Sequence, residues 1–318
     1  MRGLLGAELL RFRSRRLVRI FALVALGLLL FVQVRVFMVT NTNDAAARLR
    51  AEHRLEQITA ECEQEKAAGN IPANVTCPMT FDGERPLTAD DLYENPRLIA
   101  RDALRDGARA VAFAMTMLAF VLGASFIGAE WSAGTMQALL FWEPRRTRVL
   151  LAKATALVTG VVVITAVLQA VCYGALWLTA STHGSTAGVT AGLQMSVLLT
   201  ILRGMVVVGA SALLGYGVSG FARFTGAALG VGFGYFALVE NLVAAFRPAW
   251  ERYLFSRNIV AVVLKKVTVA SAHAKTIDLR GSNLGYRLTA TRGAITLAVY
   301  LGLLLGAFYV SFQRRDVT

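Results

Sequence analysis

The sequence predicts an all-α membrane protein, and three observations predict it. Of the 318 residues, 56% are hydrophobic and the mean hydropathy is +0.55, against roughly 45 to 50% apolar residues in an ordinary soluble domain. Six apolar runs approach the ~20 residues that a helix needs to cross a hydrocarbon core: 17 to 39, 110 to 128, 151 to 179, 194 to 219, 224 to 246 and 291 to 312. Each must be helical, because in lipid every backbone amide needs a partner within its own segment. Basic residues mark alternate connections: Arg2, Arg11, Arg13, Arg15, Arg16 and Arg19; Arg145, Arg146, Arg148 and Lys153; Arg223; Arg314 and Arg315. The positive-inside bias then makes these segments, and both termini, cytoplasmic in a multi-pass plasma-membrane protein. The net charge of +13 is thus laid out by topology. That argues against nucleic acid as a partner and for contact with anionic membrane lipid.

The elements follow in order. Residues 1 to 16 are expected to form an interfacial helix, with Leu5, Leu9 and Phe12 on one face and Glu8, Arg11 and Arg15 on another. The first span, 17 to 39, is read as an uncleaved anchor, since its apolar core outruns that of a secretory signal and only "NDAAAR" follows as a cleavage site. Residues 40 to 109 make a small extracellular helical subdomain, with nine basic and thirteen acidic residues. Within it, "DAAARLRAEHRLEQITAECEQEKAAG" reads as a helix stopped by Gly69, and "TADDLYENP" as a helical turn. Cys62 and Cys77 lie together there and are expected to pair in an oxidising compartment, with free thiols or a metal site using His53 as the alternatives. The "NVT" at Asn74 matches a glycosylation sequon too short to carry weight.

Beyond the second span lie a cytoplasmic loop at 129 to 150 and a return through 151 to 179. The connection 180 to 193 has no Lys or Arg, as an outer loop should. Residues 247 to 290, between the fifth and sixth spans, conflict with the charge rule. Nine basic residues against Glu251 and Asp278 fall between 247 and 292, and the apolar "IVAVVLKKVTV" suggests a re-entrant or interfacial helix. Residues 313 to 318 form a cytoplasmic tail. Gly226, Gly230 and Gly234, and Gly302 with Gly306, repeat at i+4 and allow close helix approach, within the subunit or across a dimer. Arg203 and Glu240 lie within spans, beside Asn241. Charges at such depth pair with each other or face a path, so the three are candidates for an intramembrane pair or a translocation path.

The cytoplasmic loop is the most specific stretch: "GAEWSAGTMQALLFWEPRRTRVLLAK", residues 128 to 153. A short helix over "SAGTMQALLFW" is broken by Pro144 and followed by a basic cluster. The acid followed by a Gly-Thr pair, Glu130 with Gly134 and Thr135, and the ending "FQRRDV" at 312 to 317 resemble the ABC type-2 permease family, whose topology the whole chain shares. The resemblance implies that this loop is a coupling helix for an ABC ATPase, with Glu130, Gly134, Thr135, Glu143, Arg145, Arg146 and Arg148 as the docking residues. It also implies two ATPase copies and a second permease subunit, identical or homologous. The chain itself is then no enzyme and needs no cofactor; ATP and Mg belong to the partner. The residues agree, since no G-x-x-x-x-G-K-[ST] occurs and none of the five lysines follows a glycine. The expected activity is outward transport of a hydrophobic or amphipathic compound, peptide or lipid by alternating access. The alternative is an ion-coupled secondary transporter using Glu240, though neither inverted repeats nor matching broken helices are evident. A membrane enzyme is disfavoured, because His53, His183 and His273 are scattered and no H-E-x-x-H occurs.

Overall fold

The computed structural model describes residues 2–40, 44–69, 77, 87–92, 98–269 and 286–314. The Asn74 sequon, the centre of the basic segment at 270–285 and the tail from Arg315 lie outside them. The chain is an all-α membrane protein, and its described residues include six helices long and apolar enough to cross a bilayer. Helix α1 (Arg2–Ser14) precedes the first of these, α2 (Arg16–Val39), and α3 (Asp44–Ala67) follows it. Helix α4 (Ala100–Ser132), the short α5 (Thr135–Trp142), α6 (Arg146–Thr182) and α7 (Ala191–Ala222) come next. The fifth membrane-length segment is composite: α8 (Thr225–Gly234), a π-helical turn (Tyr235–Val239) and α9 (Glu240–Phe246). A 3₁₀ turn (Pro248–Tyr253), α10 (Phe255–Leu264), strands β1 (Lys266–Val269) and β2 (Tyr286–Thr289) and α11 (Ala290–Arg314) complete the described chain.

Helices outrun the apolar cores that betray them. α4 begins at Ala100 rather than at 110, because Arg101, Asp102, Arg105, Asp106 and Arg109 keep it helical without being apolar, with Asp102 in the first turn and Arg109 paired to Asp106 at 2.9 Å. α6 begins at Arg146 rather than at 151, directly after Pro144 and Arg145. The antiparallel β1–β2 ribbon, Lys266 opposite Thr289 through Val269 opposite Tyr286, is an exception to an otherwise helical fold.

Two compact units result. One contains residues 30–103 and 174–189. In it, α3 carries Cys62, which is bonded to Cys77. Ile99 and Ser185 form a parallel bridge, with the Ala100 N–H donating to the Ser185 carbonyl at 2.9 Å and the Ser185 N–H to Leu98 at 2.8 Å.

The other unit contains residues 1–29, 104–173 and 190–318. Its spine is the crossing of α4 with α7. A methyl group on Gly123 would fall on the Ala212 carbonyl, and one on Gly215 on the Phe120 carbonyl, so the backbones touch at two levels. In lipid, where apolar surface gains nothing by leaving solvent, such close packing supplies the association. Ser211 Oγ donates across the seam to the Thr116 carbonyl at 2.8 Å. The seam therefore lies elsewhere than expected within the subunit: a methyl on Gly230, Gly234, Gly302 or Gly306 would meet nothing within 4 Å, and the nearest atoms to one on Gly226 are those of the Phe224 ring two residues away. Helix α10 is buried against α4, α7 and α11 through Ile259, Val262 and Val263, which pack with Ala112, Val207 and Leu297.

Candidate functional site

The end of this unit where α1, α4 and α6 meet holds a cluster of five charges, three of them buried. Lys153 on α6 is 0% exposed, Glu8 on α1 2% and Glu130 on α4 4%. Lys153 Nζ lies 2.9 Å from Glu8 Oε1 and 2.6 Å from Glu130 Oε2, the second being an ion-pair contact off the hydrogen-bond axis. Arg15, just beyond α1, donates through Nη2 to Glu130 Oε1 at 2.7 Å and through Nη1 to the Ser125 carbonyl at 3.1 Å. Arg11 pairs with Glu8 at 2.9 Å and approaches Glu130 to 3.8 Å. Phe126 forms the apolar wall, under Arg15 at 4.5 Å and Lys153 at 5.8 Å, with Phe12 against its edge. Burial lowers the Arg15 pKa from its ordinary value, opposed by Glu130 and Glu8.

This corrects two sequence expectations. Glu8 does not lie on the solvent face of an amphipathic helix; with Phe12 it forms the buried side of α1, while Leu10 is exposed. A fully buried lysine requires a counter-charge, and Glu8 supplies it. Glu130 is likewise not a surface residue: its carboxylate faces Lys153, Arg15 and Arg11, and its backbone carbonyl is what meets α5. The structure joins Glu8, Arg11, Arg15 and Lys153 to it, residues that reasoning from the loop alone misses. The available signal was a lone acid in a basic leader and a lone lysine opening an apolar run.

Helix α5 stands on this base. Gly134 adopts φ 68°, a left-handed turn open to glycine, and reverses the chain out of α4. Thr135 Oγ1 donates to the Glu130 carbonyl at 3.3 Å and Met136 is fully buried beneath the helix. At its far end Phe141 and Trp142 are 88% and 90% exposed. Glu143 is half-buried and Arg145 and Arg148 are exposed. Arg146 has a different place: its guanidinium donates to the Phe312 and Gln313 carbonyls at 2.8 and 3.2 Å, closing the last turn of α11. Trp131 joins the same junction, stacked between Arg223 at 4.7 Å and the edge of Phe312 at 6.0 Å.

Glu240 and Arg203 are not a pair: no ion pair joins them, and Glu240 Oε1 instead accepts from the Ser256 N–H at 2.9 Å. The neighbouring Phe255 N–H donates to the Tyr235 hydroxyl at 3.2 Å. These are the first amides of α10, whose N-cap residue Leu254 offers no side-chain bond. The π turn explains the reach. At 3.6 residues per turn, positions five apart lie on different faces, but i→i+5 bonding, here Glu240 N–H to the Tyr235 carbonyl, aligns them. Asn241 is local too, its Nδ2 donating to the Phe236 and Ala237 carbonyls at 3.2 and 3.0 Å. Arg203 is half-buried on α7. A cavity of about 750 Å³ adjoins this cap, between α4, α7, α8, α10 and α11. Among the described residues no cluster of His, Cys, Asp and Glu is arranged to hold a metal ion.

Comparison with family models finds a match to the ABC-2 family transporter protein over residues 9–317. No curated protein matches the chain. With six membrane-length helices among the described residues and a match that runs through all of them, the chain belongs to the ABC-2 transporter family, as a multi-pass membrane permease subunit.

Proposed function

We propose that the chain is one membrane half of an ABC exporter, and that a separate ATPase subunit seats on α5 and its flanks. The observation that carries this is the pairing of two almost fully exposed aromatic rings, Phe141 and Trp142, with a helix seated on the buried Met136 and tied to α4 through Thr135. Trp and Arg are the side chains that dominate protein interfaces, and Arg145 and Arg148 stand next to these rings. The docking set is then Phe141, Trp142, Glu143, Arg145 and Arg148, shaped by Gly134 and Thr135. Glu130 and Arg146 act behind it. Force on α5 would reach α1, α4 and α6 through the charge cluster and α11 through Arg146. ATP and Mg are held by the ATPase, present in two copies with a second permease subunit. The loop and both termini face the cytoplasm, and the cargo is a hydrophobic or amphipathic compound moved outward by alternating access.

The same rings could instead anchor α5 in lipid headgroups, where Trp is common. Purifying tagged protein with its ATPase in mild detergent separates the two. Trp142→Ala combined with Phe141→Ala should strip away the ATPase while the permease keeps its melting temperature. Retention of the ATPase in parental amounts, or a parent chain that purifies with no P-loop subunit, would sink the docking assignment.

A further inference from the structure

The cavity beside α10 has a composition that specifies what it can hold. Its volume of about 750 Å³ is that of a small-molecule site, and among the described residues that line it no side chain is charged. Four hydroxyls line it, and their bonding leaves little to offer. Thr116 donates to the Ala112 carbonyl at 2.7 Å, Ser211 to the Thr116 carbonyl at 2.8 Å and Tyr300 to the Tyr253 carbonyl at 2.9 Å. Tyr235 already accepts from Phe255. Glu240, the nearby carboxylate, is not part of the lining, and its Oε1 is engaged by Ser256. A cation brought here would shed its water without a counter-charge on the wall, which is costly. An uncharged apolar molecule loses nothing.

The walls also indicate where such a molecule comes from. Phe255, Tyr235 and Tyr300 close one side, and they belong to the elements that three polar bonds tie together around the start of α10. Val231 and Phe233 of α8 and Met117 of α4 also line the cavity and are exposed. α8 belongs to a membrane-length segment. The exposed rim therefore faces hydrocarbon. We propose that this cavity is an intramembrane binding site for a single uncharged alkyl or acyl chain, admitted sideways past α8 from the bilayer. That such a molecule is also the cargo rests on the export reading above; that it binds does not.

The test uses full-length protein in phosphatidylcholine nanodiscs and a hexadecanol carrying a photoactivatable diazirine, with adducts mapped by mass spectrometry. Labelling should saturate, should concentrate on residues 116–121 and 229–236, and should be competed by plain hexadecanol. Met117→Trp, at an exposed lining position, and Leu229→Trp should each lower it by about tenfold, the loss expected for about two buried methylenes of contact. Val206→Trp, on the exposed face of α7, should leave it intact and report that an added indole is tolerated. Labelling that rises linearly with probe and spreads over α2 and the exposed Leu303 and Val310 of α11 would mean annular lipid only and overturn the site. Stronger competition by hexadecyltrimethylammonium than by hexadecanol would overturn the uncharged class. Crosslinks from α8 to a second copy of the chain would mean that the rim is a subunit seam. No ATPase enters the assay, so its failure leaves the export reading standing, and loss of ATPase docking in the Trp142 variant leaves this site standing.

Discussion

Replacing Glu130 by glutamine keeps its shape and removes one charge from the buried cluster. Lys153, Arg15 and Arg11 would then face only Glu8. Removing one partner of a buried ion pair costs about 3 to 5 kcal/mol. Lys153 is fully enclosed and should feel the whole loss, whereas the side chains of Arg15 and Arg11 are 19% and 45% exposed and recover part of theirs in water. The lower end of the range, about 3 kcal/mol, is therefore expected, which is on the order of a hundredfold in the folding equilibrium. The protein carries its own reporter. Of three cysteines, Cys62 and Cys77 are bonded to each other and Cys172 is a buried thiol outside that disulfide, so a thiol-reactive fluorophore lights up as the bundle opens. The Glu130→Gln protein should unfold at markedly lower temperature and denaturant than the parent. Adding Lys153→Met should return part of the loss, because the stranded ammonium goes while its apolar stem is retained. An unchanged melting curve together with lost ATPase association would refute the reasoning, and would return Glu130 to the docking surface.

Three further outcomes are expected. Gly123→Ala and Gly215→Ala should each destabilise by about 1 to 3 kcal/mol, toward the upper end because the obstacle is backbone, while Gly302→Ala and Gly306→Ala should leave Cys172 unfolding unchanged. Glu240→Leu should leave the Ser256 amide without its acceptor at a cost of about 1 to 3 kcal/mol, read as faster hydrogen exchange at Phe255 and Ser256; Glu240→Gln, which can still accept, should keep most of the protection. Reducing the Cys62–Cys77 bond, which spans 15 residues, should remove about 3 kcal/mol from the segment carrying α3 and speed its cleavage by protease; alkylation of both thiols without reductant would contradict the bridge.

The sequence by itself determined the fold class, and it led to the expectation of the six membrane helices found among the described residues and of the bond between Cys62 and Cys77. All three follow from local or compositional rules: the length of apolar runs, the need for backbone bonds in lipid and the nearness of two thiols. Its alternation of basic connections set the expected topology. The helix ends were less legible, since Arg101 to Arg109 keep α4 helical without being apolar. The ribbon had a signal in "KVTV", but its partner strand lies beyond residues 270–285, and pairing at that distance has no local signature. What only the tertiary structure decided is where each charge goes. A carboxylate reads alike in sequence whether it faces water, a lysine or a helix end, because its energy depends on neighbours from distant segments. Glu8 and Lys153 are 145 residues apart, and Glu240 caps a helix only because a π turn aims it there. The glycines behave the same way: of those spaced i+4 in the sequence, Gly230, Gly234, Gly302 and Gly306 meet open space, while Gly123 and Gly215, with no such repeat between them, hold α4 to α7. Spacing along one helix says which residues share a face, and only the second helix says which face is used.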